Sequence, residues 1–223
     1  MKKIIFAGVL CFVVLFFNVG ANADDFYLDI GVKGWVNQWK IKFDAPDVED
    51  TTSDTNLLIG PMIKVGYKKF FGGVTFMQAV NDYDFGEGYK WSRKDVDIVF
   101  GYMLHSRVAI FAGYKYLTGT SSIDTSHTAS GPAFGISLNF PITKIRTTIY
   151  ANGVYMPLKG ELNSLGIVTD HDVNSYSLEG GISVSLHKNW LVNVGYKYQY
   201  LDWRKTVEDI TSGVTFGISY VTD

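Results

Sequence analysis

The sequence predicts an all-β fold, a closed antiparallel transmembrane barrel of ten strands, and three observations predict it. Apolar residues recur with period two from residue 26 onward, the spacing that makes one face of a strand greasy and the other polar. The alternating segments are joined by turns of two to four residues on one side and by longer polar stretches on the other, the asymmetry of barrels that cross a bilayer. Aromatic residues fall at two heights along the segments, where amphipathic rings favour the two membrane–water interfaces.

The N-terminus reads as an export signal. Lys2 and Lys3 precede an apolar run from Ile4 to Phe17, and Ala21-Asn22-Ala23 supplies the small-x-small pattern of a cleavage site. The chain therefore divides into a signal peptide, residues 1–23, and a barrel domain, residues 24–223. Cys11 lies inside the apolar run and is the only cysteine, so the mature domain is expected to hold neither disulfide nor thiolate metal site. The formal net charge is −2, more negative once Lys2 and Lys3 leave, and it gives a nucleic-acid partner no footing. After the signal no apolar stretch reaches the roughly 18 residues of a membrane helix.

Ten alternating segments follow in order: 25–43, 55–67, 72–80, 93–103, 107–117, 131–140, 145–156, 174–186, 190–201 and 212–221. In the first, Phe26, Leu28, Ile30 and Val32 alternate with Tyr27, Asp29, Gly31 and Lys33. In the fourth, Val96, Ile98, Phe100 and Tyr102 alternate with Asp95, Asp97, Val99 and Gly101. The last sets Val214, Phe216, Ile218 and Tyr220 against Gly213, Thr215, Gly217 and Ser219. The count falls to eight if the third segment and a neighbour merge with loops. Stretches 44–54, 81–92, 118–130, 157–173 and 202–211 are polar and read as the long loops. With short turns opposite them, both termini fall on the periplasmic side.

Outward aromatics beside the short turns are Tyr67, Tyr102, Phe140, Trp190 and Tyr220; those toward the long loops are Tyr116, Tyr155, Tyr176, Tyr198 and Tyr200. Trp190 and Tyr198 stand nine residues apart counted inclusively, close to the roughly 9–11 that a tilted strand needs to cross. The expected location is the cell outer membrane. The expected partners are outer-membrane lipid, lipopolysaccharide and the barrel-assembly machinery.

The chain resembles the small Gram-negative outer-membrane barrels of the OmpW-like and OmpX-like groups. The resemblance rests on the signal peptide, the repeated Gly-Tyr-Lys-Tyr strands (Gly113 to Tyr116, Gly195 to Tyr198) and the aromatic-rich last strand. It differs at the end, which runs Tyr220-Val221-Thr222-Asp223 where such barrels finish on an aromatic. The resemblance implies a structural barrel, a narrow conduit for small molecules or a surface-binding protein. An adhesin acting through its loops is equally compatible.

The polar face carries Lys33, Lys64, Arg93, Asp95, Asp97, Arg107, Lys115, Arg146, Glu179 and Lys197, with Asp29 beside them. Enclosed charges persist only when paired, so these residues are expected to form a network filling a narrow lumen. The first long loop holds Asp44, Asp47, Glu49, Asp50 and Asp54, but their spacing fits no calcium loop. No metal or cofactor is expected. Asp82 and Asp84 in one loop, with Asp170, His171 and Asp172 in another, resemble the omptin proteases of the outer membrane. That resemblance implies an Asp pair and a His–Asp pair activating water across the barrel mouth, a hydrolase as the alternative function. The family separates its Asp and His by one residue, whereas Asp170 and His171 are adjacent and on a strand would face opposite ways.

Overall fold

The computed structural model describes residues 26–45, 48–86, 89–123, 125–164, 166–186, 189–203 and 207–222. The expected signal peptide lies outside them. Eleven strands are present: β1 (Phe26–Ala45), β2 (Val48–Tyr67), β3 (Phe70–Ala79), β4 (Tyr83–Asp84), β5 (Lys90–His105), β6 (Val108–Ser121), β7 (Thr125–Ile142), β8 (Thr147–Ser164), β9 (Ile167–Ser185), β10 (Trp190–Asp202) and β11 (Val207–Thr222). Except for β3 and β4, which both pair with β5, each strand pairs antiparallel with its chain neighbour. The first and last meet through Leu28↔Thr222 to Phe43↔Val207. The ring closes where β3 pairs with β5, from Phe70↔Tyr102 to Gln78↔Lys94.

The short strand β4 resumes that contact at Tyr83↔Trp91 and Asp84↔Lys90, so β3 and β4 together make one of ten staves. Four residues, 79–82, stand against two, 92–93, between Gln78↔Lys94 and Tyr83↔Trp91. The surplus bulges, as extra residues do at barrel rims. Closure leaves the wall of the barrel without a free strand edge, which is how an all-β chain satisfies its backbone in hydrocarbon.

Four of the five stretches read as loops are strand. The β1–β2 ladder runs to Ala45↔Val48, β6–β7 to Thr120↔Ser126, β8–β9 to Ser164↔Ile167, and β10–β11 to Asp202↔Glu208. β1 and β2 are each 20 residues long, about twice what a bilayer crossing takes. Above the membrane both faces can be polar, so the apolar alternation fades while the backbone goes on pairing. Only the β3–β5 connection stays partly irregular. At the other end sit the tight turns at Lys68–Lys69 and Ser106–Arg107, and a 3-10 turn over Thr143–Ile145.

The outside is oily. Ile30, Ile63, Ile110, Phe134, Leu178 and Ile182 are among the exposed large side chains, a band too extensive for a water-soluble monomer and suited to lipid. The core lies inside the outer half of the barrel in two clusters. One gathers Trp35, Trp39, Leu58, Met77 and Tyr83. The other gathers Leu117, Ala129, Met156, Leu158, Val173, Leu201 and Trp203.

Candidate functional site

The lumen is built in three tiers, because every strand turns alternate side chains inward. The uppermost tier is aromatic and stands above Tyr116 and Tyr198. Trp39 packs edge-on against Tyr83 at 4.9 Å, Phe85 at 5.3 Å and His127 at 5.6 Å between ring centroids. The Trp39 indole N–H donates to Asp209 Oδ1 at 2.7 Å, and the Tyr83 hydroxyl donates to Asn37 Oδ1 at 2.9 Å. His127 also meets Trp91 at 5.1 Å and Trp203 at 5.7 Å. Burial, reinforced by the Arg93 charge, pushes its imidazole down to about 3, so the ring is neutral. Burial also lifts the Asp209 carboxyl to about 6, although Arg93 and the Trp39 N–H oppose the shift. The Tyr83 phenol is likewise held above its ordinary range by burial.

The middle tier is ionic and reaches across the bore. Arg93, fully buried on β5, grips Asp95 through Nε at 2.9 Å and Nη2 at 3.3 Å. Its Nη1 reaches across to Thr211 Oγ1 on β11 at 2.6 Å. The guanidinium lies 5.8 Å from the Trp35 ring centroid and 5.2 Å from that of Trp39. Lys115 joins Asp95 at 2.7 Å and Asp97 at 3.0 Å. Charges so enclosed persist because each has a partner and strong hydrogen bonds. The guanidinium thus spans the lumen from β5 to β11 with an indole on either side.

Below lies a cavity of about 530 Å³ that reaches the short-turn rim at Asn139, Thr148, Ser183 and Asn193. Lys33 bridges it to Glu179, touching both carboxylate oxygens at 2.9 Å. The Tyr150 and Thr215 hydroxyls donate to the same carboxylate at 3.4 Å and 3.2 Å. Lys64 and Asp29 pair at 3.4 Å nearer the rim. Lys197 and Gln199 of β10 form part of the roof.

The expected network is thus enclosed for Lys33, Lys64, Arg93, Asp95, Asp97, Lys115, Glu179 and Lys197. Two members need correcting. Arg107 is exposed in the β5–β6 turn, and Arg146 is exposed at φ 48° after the 3-10 turn. Both follow the strand period only on paper, since the backbone leaves the ladder beside them. The outward aromatics group as two sets of contacts. Tyr176 stacks on Tyr198 and Tyr200 at 6.1 Å and 5.1 Å, and Trp190 meets Tyr220 at 5.5 Å. Tyr116, Tyr155 and Phe140 are exposed, while Tyr67 and Tyr102 are half-buried beside Phe70.

The omptin-like residues do not converge as that resemblance implies. Asp82 and Asp84 are exposed on either side of Tyr83, which takes the inward place. Asp84 Oδ1 accepts the Gly86 N–H, and its own N–H donates to Asp54. On β9 the inward series through Val173, Ser175 and Ser177 takes His171 and turns Asp170 and Asp172 outward. His171 contacts the Thr169 hydroxyl and the Trp203 ring, while Asp172 is held by Lys159. Among the described residues no three His, Cys, Asp or Glu side chains group as a metal site. Of the acidic loop, the side chains of Asp44, Asp47, Glu49 and Asp50 lie outside the described residues.

The aromatic tier carries a signal of its own in the sequence, outside the charged set. The parity that puts Lys33 inside also puts Trp35, Asn37 and Trp39 inside.

No protein-family model matches the chain, and no curated protein sequence matches it. Solved structures do. The outer membrane protease OmpT of Escherichia coli superposes with a TM-score of 0.65 at 10% identity, covering 92% of this chain and 99% of that one. Neisserial surface protein A gives 0.46 at 12% identity over 87% and 96%. The attachment invasion locus protein Ail of Yersinia pestis gives 0.35 at 15% over 87% and 98%. The fold is that of the bacterial outer-membrane β-barrels, and the oily outer band supplies the surface such a location requires.

Proposed function

We propose that this outer-membrane barrel is a small-molecule-binding protein whose site is a cup open on the short-turn, periplasmic side and stoppered toward the cell exterior. One observation carries the reading: the Arg93–Asp95–Lys115 cluster, with Arg93 bonded across the lumen to Thr211 and flanked by Trp35 and Trp39. The cavity beneath it has the volume of ordinary ligand sites. An open pore would need the stopper to part. A hydrolase of the omptin type would need its carboxylates turned inward beside His171, where Tyr83 and Val173 stand instead.

Planar-bilayer recording tests the reading. The purified mature chain is expected to give no steady single-channel current. Replacing Arg93 and Trp39 together by alanine should introduce one, provided that the heat-dependent gel shift of folded barrels persists. Steady conductance through the unaltered protein would overturn the stopper.

A further inference from the structure

The roof of the cavity holds a cation that no carboxylate touches, although Glu179 faces it across the β9–β10 ladder. Four lysines and two carboxylates line the space: Lys33, Lys64, Lys115 and Lys197 against Asp97 and Glu179. Lys33 is matched to Glu179, Lys115 to Asp97 and Asp95, and Lys64 to Asp29. Among the described residues no carboxylate stands within ion-pair distance of the Lys197 Nζ, yet the residue is 7% exposed. What holds it is the Trp35 ring, 4.7 Å from Nζ to centroid. A ring face attracts an ammonium but leaves its charge and its N–H donors unspent.

Two residues along the same strand, Gln199 is 1% exposed and lines the same roof, with both its amide oxygen and its amide nitrogen unpartnered. Buried amides without partners are rare, because each lost hydrogen bond costs on the order of 1–3 kcal/mol. Both side chains border the cavity, which is where a ligand could reach them. Nearer the opening, beside the paired charges of Lys33, Lys64 and Asp29, the lining adds the hydrogen-bonding side chains Asn139, Ser183 and Asn193.

We propose that Lys197 and Gln199 bind a small hydroxylated oxyanion, a sugar acid or sugar phosphate, entering from the periplasmic side. The ammonium takes the carboxylate or phosphate. The Gln199 amide, donor and acceptor at once, takes a neighbouring hydroxyl, and the asparagines and serines below satisfy the remaining hydroxyls. A neutral sugar lacks the group that the lone cation selects. A hydrophobic solute would leave both the cation and the amide unpaired. The proposal rests on the cup reading for its side of entry.

Isothermal titration calorimetry on the mature protein in detergent micelles tests it, with glucuronate and glucose 6-phosphate as probes and glucose as the neutral control. At least one anion should bind at millimolar concentration or below, and glucose should not. Lys197→Met should weaken binding by about tenfold or more, corresponding to 1.4 kcal/mol per decade, while Lys197→Arg retains most of it. Gln199→Leu should weaken the anions to a lesser degree. Lys159→Met, on the opposite end of the barrel, serves as the charge control and should change nothing. Heat-dependent gel mobility establishes that each variant is folded. Absence of binding by both anions, equal binding of glucose, or unchanged affinity in folded Lys197→Met would overturn the proposal. Bilayer recording on the same preparation separates the two ideas: a silent barrel that ignores both anions sinks the oxyanion site alone, whereas a conducting barrel that binds them sinks only the stopper.

Discussion

His127 and Asp209 face the same buried space above the membrane, and they push stability in opposite directions with pH. His127 has its folded value below the ordinary 6.5, near 3. Between those limits the unfolded chain binds the extra proton, so stability falls as pH falls. Asp209 has its folded value above the ordinary 3.8, near 6. There the folded chain binds the extra proton, so stability falls as pH rises. Between 3.8 and 6 the two effects offset one another. Asp209→Asn should therefore leave a barrel that loses stability steadily from 6.5 downward, by a few kcal/mol at roughly 1.4 kcal/mol per pKa unit. His127→Gln should leave one that gains stability as pH drops from 6 to 3.8. Urea midpoints of the lipid-embedded protein across that range check both signs, and parallel profiles for the two variants would refute the assignment. At this scale the lumenal charges were legible from strand parity. The aromatic stopper was legible only at Trp39, because Tyr83, Trp91, His127 and Trp203 are spread along the chain and meet only when the ring of staves closes.

Among the strands, several tight fits come where an aromatic lies on a glycine of its neighbour. Phe111 of β6 covers Gly135 of β7, so that a Cβ added there would stand 2.3 Å from the ring and 2.7 Å from the Gly153 carbonyl oxygen. Cross-strand cover of this kind pins register. Gly135→Ala should destabilise the barrel by about 1–3 kcal/mol, the usual cost of overpacking. Adding Phe111→Leu should restore part of the loss, read again as the urea midpoint. If Gly135→Ala were neutral, the close approach of β6 and β7 would be wrong. Staves inside the bilayer announced themselves by alternation, since lipid outside and polar lumen inside impose period two. Their continuations did not. In the β8–β9 hairpin beyond Pro157, Glu161, Thr169 and Asp170 meet water, so nothing selects apolar residues there, although the backbone pairing is as regular as below.

The whole molecule is a barrel taller than the membrane around it. From Trp190 to Tyr198, at about 3.3 Å per residue and a tilt near 40°, the oily band is roughly 20 Å high. Such a band matches a thin bilayer, and mismatch costs a fraction of a kcal/mol per Å. The urea-unfolded chain should accordingly insert faster and more completely into lauroyl than into oleoyl phosphatidylcholine vesicles, as followed by the gel shift. Equal yields and rates would argue for a taller band. Fold class, stave number and end-to-end polarity could all be read from residue order. The stoppered bore could not, since it depends on how far Arg93 reaches across a circle that only closure defines.

The proposed stopper would make the protein an inverted beaker. On the proposed reading, molecules in the surrounding medium would have no direct road to Lys197 and would come to it only after crossing the envelope by some other gate. Occupancy would then report what the cell has already let in, and the exterior ladders are free to change residue by residue without disturbing what the beaker holds.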